Sequence, residues 1–575
     1  MKNAFCLCMA LGATLAPGAR SLSSPTVSAA ARVESVDELI TKGRDLLRAK
    51  KFDDAQTAFD AAAALDKSSP KTRVWVARGW IAKGRFDDAL QAADELRAAL
   101  KGATANTTDP DYLMGLAFHG QAKESADKGG GQYTNSQFED SVTSLARATS
   151  ADAARYSDAW LPLAEAAWYA ANLPVARNAA EQAIKIDAKD PAAQIVLGNV
   201  AFAQYKVAQD ASETENADTY WSTALAAFRR AIELIGHPGQ DPAALAQVAS
   251  AHVQCGFLHQ WKQDMKSAAE SYATAAGFDP SRVDFNQVHT GLGAEPFAAC
   301  MSDAILRFEK QHGRNRPESS TLHWWNGFAL FENAKMPEAE TEFRRAVELW
   351  PAYTNSWYYV FRCAYHQQKF SESIEALRKN WQLAPDALVA ALAGQPELNF
   401  SILEYLVGWC ADPEKHAGVA NNADAALLSE MLTRAAPTQA RYWNNLGLFL
   451  RDQGDALKAD KGKDADPAEL QKLWEAAFAA YSQTLEIEPG NPNYLNDTAV
   501  MLHYYLKRDY DKALAMYEKA AKRAEEELAR KDLSPELRDV IKIAKRDSNN
   551  NIVKVKRVME KLARGEKPGP EDADQ

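Results

Sequence analysis

Three side chains capable of holding a metal stand close together in this sequence: His252, Cys255 and His259, at i, i+3 and i+7. On a helix that spacing puts two imidazoles and a thiol on one face, part of a zinc ligand shell. Three ligands on one helix need help from elsewhere, and the sequence offers neither a CxxC pair nor an HExxH to supply it. Packing against a neighbouring helix is the better reading. Cys300, Cys363 and Cys410 are isolated and read as small buried hydrophobes. Nucleophilic and phosphate chemistry find no footing either, because the chain lacks GxSxG, a Walker loop and GxGxxG. The run Glu525-Glu526-Glu527 reads as a solvated helix face. Lys and Arg total 66 against 77 Asp and Glu, a net charge of −11 in 575 residues. A surface built to neutralise nucleic-acid phosphates needs an excess of cations instead. No enzyme, no metal and no cofactor is expected, and no nucleic-acid partner.

The elements that carry these residues announce themselves by a period. Lys51-Phe52-Asp53-Asp54-Ala55 recurs as Arg85-Phe86-Asp87-Asp88-Ala89, a shift of 34 residues, and Pro351 and Pro385 are again 34 apart. With each unit numbered from 1 to 34, Trp160, Leu163, Ala164, Ala176, Ala180 and Ala183 fall at positions 4, 7, 8, 20, 24 and 27. Gly256, Ala268, Tyr272, Ala275 and Pro280 fill positions 8, 20, 24, 27 and 32 of another unit, and Gly327, Ala339, Phe343, Ala346 and Pro351 repeat that set. Trp443, Leu446 and Gly447 open a further copy that Tyr481 and Pro489 close; Tyr510, Ala513, Tyr517 and Ala520 mark the last. The order of residue types and the period resemble the tetratricopeptide repeat family over most of the chain. The physical need behind the pattern is plain: small residues at 8, 20 and 27 let two helices cross closely, and the closing Pro stops the second. About nine clear copies, and up to twelve in all, imply an all-α fold, a right-handed α-solenoid of antiparallel helix pairs.

Five segments are expected. Residues 1–30 read as a signal peptide and linker, 36–282 as an N-terminal array and 320–527 as a C-terminal array. Between the arrays, 283–319 is a divergent repeat or break, with Thr290 where Gly or Ala belongs. Residues 528–575 read as capping helices and an acidic tail, while 388–439 is recognisable only as helical text. Twelve units of 34 leave no room for a catalytic domain. Three units carry insertions: the span from position 8 to position 20 should take 12 residues, but takes 26 from Gly115 to Ser141, 26 from Gly198 to Ala224 and 30 from Gly447 to Ala477. Seven more residues per helix would add two turns, ~10 Å, and keep the packed face in phase. Gly129-Gly130-Gly131 and Lys461-Gly462-Lys463 mark the tips. Tolerated surface insertion is favoured over a functional rim.

In that family the first helix of each pair lines a concave groove through positions 2, 5, 9, 12 and 13. Those positions give Trp324, Phe328 and Phe331 in one unit, then Asn355, Tyr358, Arg362, Tyr365 and His366 in the next. Aromatics around one Arg have the composition of a binding hot spot, and read equally as packing between tight repeats. Trp168 and Tyr169 form a second candidate. Members that bind chaperone C-termini use a Lys/Asn/Arg set; here positions 5 and 9 of the first unit are Ile40 and Arg44, and no three successive units supply it. That partner class is rejected. The leading expectation is a non-enzymatic scaffold holding a peptide or partner helix in the groove. The alternative is an auxiliary subunit of an exported enzyme or envelope assembly, docked through the insertion edge. A third reading is sugar or nucleic-acid binding through the aromatics and the basic stretch from Ile541 to Arg564.

Compartment is read from the leader. Residues 1–33 hold no Asp or Glu, and an apolar run from Ala4 to Ala16 breaks at Pro17-Gly18. Such a run is too short to span a bilayer, which takes ~20 residues, but suits a secretory signal. Export to a periplasm or beyond is expected; Arg20 and Arg32 leave an organellar transit peptide as the alternative.

Overall fold

The computed structural model describes residues 34–102, 108–128 and 135–569; the leader, the Gly129-Gly130-Gly131 tip and the last six residues lie outside them. The described residues are helices joined by short turns, with no strand among them. The fold is all-α, as the repeat pattern implies. No described helix is long and apolar enough to cross a membrane. The chain divides into two compact units, Met1–Tyr220 and Trp221–Gln575.

In the first unit the pairs are Val36–Arg48 with Phe52–Leu65, Pro70–Ala82 with Phe86–Ala99, Asp109–Lys128 with Asn135–Ala151, and Trp160–Tyr169 with Leu173–Ile186, followed by Pro191–Asp210. Local chemistry sets the starts. Ser35 and Glu38 cap each other's backbone amides ahead of the first helix. Asp190 accepts from the Ala192 amide, and Pro191 fills the first helical position, where a missing N–H costs nothing. The same Asp/Asn-Pro start recurs in the second unit at Asp241, Asp466 and Asn491. The first helices of successive pairs also touch each other, forming a continuous inner row in this unit.

The crossings show why position 8 must be small. A Cβ on Gly43 would overlap the ring of Phe59, and one on Gly256 that of Tyr272; on Gly447 it would meet Tyr481 at 2.9 Å. All three rings are buried to 1% exposure or less, so they cannot swing aside. The insertions lengthen helices. Asp109–Lys128 and Pro191–Asp210 run 20 residues, and Ala440–Lys461 and Pro467–Ile487 run 22 and 21, against 13 or 14 for ordinary members. Gly462 turns the last of these pairs at φ +53°.

The second unit begins within the helix Thr214–Ile235 and contains Pro242–Trp261 with Met265–Phe278, then Phe285–Leu292 and Ala294–His312. Segment 283–319, expected as a divergent repeat or a break, lies inside the second unit. Its second helix packs Phe297, Met301 and Phe308 into the same core as Tyr272. The pairs Ser320–Glu332 with Met336–Leu349 and Asn355–His366 with Phe370–Leu383 follow. Segment 388–439 supplies Pro385–Gly394, Pro396–Ala411 and Asn422–Ala435.

The last helix, Pro535–Ala563, packs on Tyr510–Leu528 and Pro492–Val500. It buries Ile541, Ala544, Val555 and Val558, and its Ser548 and Asn551 bond Asn496 and Tyr504 beneath. Asp497 sits at this seam. Burial pushes its carboxyl up to about 6, opposed by a hydrogen bond from Asn496. A folded-state pKa above the unfolded value means that the stabilising contribution is present below about pH 4 and lost as pH rises through 6. Asp497→Asn should therefore raise Tm at pH 7, by on the order of 1–3 kcal/mol in stability, and change little at pH 4. Calorimetry of parent and variant at both pH values checks this; equal effects at the two would remove Asp497 from the balance.

Candidate partner-binding site

The eight aromatic-groove candidates do not share one surface. Trp324, Tyr358 and Arg362 are buried at 7–8% exposure; Phe328, Phe331 and Tyr365 are half-buried, and only Asn355 and His366 are open. Trp324 stacks on Phe328 at 5.5 Å and meets Tyr353 and Tyr359 edge-on or tilted. Tyr358 donates to Asn399 at 3.0 Å, and Arg362 Nη1 donates to the Tyr358 hydroxyl at 2.9 Å. Asn399 belongs to Pro396–Ala411, in the segment whose repeat pattern is weakest, and that helix covers what position 5 would otherwise expose. The expectation of an open eight-residue face is corrected to a partly covered one. Burial also lowers the His366 imidazole's pKa, with Arg362 adding to it.

The metal-like trio packs. The His252 ring stacks on Phe278 at 6.0 Å, His259 meets Trp221 edge-on, and Cys255 is buried. Burial drives the His252 imidazole down to about 4, so it is neutral at physiological pH. Trp168 is half-buried, and Tyr169 lies against Phe138 at 4.7 Å.

A concave site that the sequence reading did not assemble lies in the first unit. Helices Val36–Arg48, Pro70–Ala82 and Asp109–Lys128, with the turn before Trp160, enclose a cleft of about 630 Å³. Its wall is built from guanidinium–aromatic stacks. Arg44 lies over Trp75 at 5.1 Å, Arg78 over Tyr112 at 5.5 Å and Arg155 over Tyr156 at 5.6 Å. Two acids tie the stacks together. Asp109, 1% exposed, accepts from Arg155 Nε and Nη2 and from the Tyr156 hydroxyl at 2.7–3.1 Å. Asp158 accepts from the Tyr112 hydroxyl and from Arg78 Nη2 at 2.8–2.9 Å. Burial pushes the Tyr156 phenol up to about 12 and Tyr112 upward as well, so both remain protonated donors.

The first two pairs lining this cleft, residues 40–104, match the family model described as tetratricopeptide repeat. The glycine-to-aromatic crossings of that repeat recur through both units. Residues 40–104 are tetratricopeptide repeats. No curated protein matches it. Among solved structures it is similar to TTC0263, a thermophilic tetratricopeptide protein of Thermus thermophilus, at 19% identity, over 38% of this chain and 98% of that one, with a TM-score of 0.28. It is similar to the Cut9–Hcn1 hetero-tetramer of APC/C at 14% identity, 89% and 96% coverage and a TM-score of 0.25. Yeast Tom70 matches at 14% identity, 92% and 99% coverage and a TM-score of 0.20.

Part of the cleft was within reach of sequence. Val74 and Arg78 repeat, 34 residues on, the places of Ile40 and Arg44. The rest was not, because Arg155 and Asp158 stand in a turn before their helix and meet partners 46 residues away.

Proposed function

We propose that this protein is a non-enzymatic interaction scaffold that holds a segment of a partner protein in the first-unit cleft. The observation that carries the reading is the set of stacked guanidinium groups, Arg44 and Arg78 on first helices of successive pairs and Arg155 in the turn before Trp160. Trp, Tyr and Arg are the side chains enriched at the centres of binding interfaces. Their pre-bonded network keeps the cleft in shape without a ligand. Tetratricopeptide repeats as a family serve protein–protein interaction, which fits a chain whose length is taken up by helix pairs. Export is part of the proposal and rests on the residue types of 1–30.

A second reading, docking through the insertion edge, is favoured by the lengthened helices Asp109–Lys128 and Pro191–Asp210. Photo-crosslinking separates the two. A crosslinking residue at Lys71, on the cleft wall, should yield a partner adduct that Trp75→Ala abolishes, a loss of ~2 kcal/mol or more in binding. The same residue at the exposed Glu124, on the overhang, should yield none. An adduct from Glu124 alone places the contact on the insertion edge instead.

A further inference from the structure

We infer that the first-unit cleft selects an acidic segment, one presenting Asp or Glu side chains to the stacked guanidinium groups; this rests on the cleft being the partner site. Five cations line it, Arg44, Arg48, Lys71, Arg78 and Arg155, against two acids, Asp109 and Asp158. The protein as a whole carries −11, so the local sign is the reverse of the global one. Both acids are already engaged by Arg155 and Tyr156, and by Arg78 and Tyr112, and have little left to offer a cationic ligand.

The cations are less committed. Arg44 is exposed, rests its plane on Trp75, and has no carboxylate partner among the described residues. Arg78 donates through Nη2, but its Nε is enclosed without an acceptor. At the rim, Lys71 pairs with Asp37 and Arg48 with Asp45, and those two acid side chains are 76% and 63% exposed. Exposed pairs of this kind contribute little and exchange readily. A carboxylate entering the cleft would meet planar donors already oriented by rings, the geometry that favours bidentate Arg–carboxylate contact. Recognition would run through guanidinium–aromatic stacks rather than the Lys/Asn set that the first helices lack.

The test is selection of a random peptide library displayed on phage against the full chain, with parent, Trp75→Ala and Arg44→Glu as baits and circular dichroism melts to check folding. The parent pool should be enriched in Asp and Glu over the input. A synthetic peptide from that pool should bind Arg44→Glu about ten-fold or more weakly, and bind the parent less tightly as salt rises. A pool without acidic enrichment that still depends on Trp75 overturns the acidic occupant and leaves the cleft as partner site. A pool that neither variant alters, or no pool, overturns both. A labelled single-stranded oligonucleotide that displaces the peptide at lower concentration overturns an acidic protein segment in favour of a nucleic acid.

Discussion

Gly256→Ala should lower the melting temperature of the second unit even though alanine is the better helix former. The gain in helix propensity is ~1 kcal/mol. Against it, the new methyl would overlap the ring of Tyr272, which is fully buried and whose hydroxyl is bonded to Gln260 at 2.7 Å. The ring cannot retreat without breaking that bond or parting the helix pair, and such overpacking costs about 1–3 kcal/mol or more. Gly327→Ala is the informative comparison. There the methyl would meet Phe343 at 3.0–3.1 Å, a few tenths of an ångström too close, and the propensity gain should nearly offset the strain. Gly327→Leu, with three further carbons in the same crossing, should behave like Gly256→Ala or worse. Calorimetric scans of the three variants check the order. Equal melting temperatures for Gly256→Ala and Gly327→Ala would show that the crossings are looser than their geometry.

The second large effect is expected at Tyr358. Truncation to Ala removes a buried ring that contacts Tyr359 at 5.3 Å and Phe361 at 5.8 Å, and leaves Asn399 and Arg362 short of a partner. Loss of such an aromatic should cost ~3–5 kcal/mol. Arg362→Met should differ sharply. Arg362 is 7% exposed, its guanidinium has no carboxylate within ion-pair distance among the described residues, and its Nε lacks an acceptor. A buried charge held only by neutral groups is costly, and an apolar side chain of similar length should leave stability within ~1 kcal/mol of the parent or raise it. Chemical denaturation of both variants reads this directly. If Tyr358→Ala is as stable as the parent, the ring is on a free surface after all and the covered site must be reopened as a partner face.

The contrast between those sites shows what one-dimensional reading can reach. Gly256 against Tyr272 and Gly327 against Phe343 are contacts between positions 8 and 24 of a single unit, so the 34-residue period carries them without any knowledge of neighbours. Arg362 with Asn399 joins a regular unit to the irregular segment 388–439, and no period predicts which helix of that segment lies over position 5. The first-unit cleft failed for a related reason. The insertion after Gly115 and the turn at 155–158 displace Asp109, Arg155 and Asp158 from any common register. Trp75 and Arg44, one unit apart, were each visible, but nothing in their spacing said that the guanidinium would lie on the ring. The helix pairs are local and legible; what they jointly enclose depends on the exceptions.

The four described cysteines, read first as packing residues, have a consequence for chemistry in air and in cells. Cys255, Cys300, Cys363 and Cys410 are each buried and unpaired. Burial pushes the Cys255 thiol up to about 11 and the other three up to about 12. Disulfide exchange and oxidation proceed through the thiolate, which is almost absent at neutral pH in such surroundings. While the helices stay packed, these four thiols are therefore indifferent to the redox poise around them. Its thiols become reactive only when a helix pair opens, so their labelling rate by a thiol reagent is a built-in clock for local unfolding along the second unit.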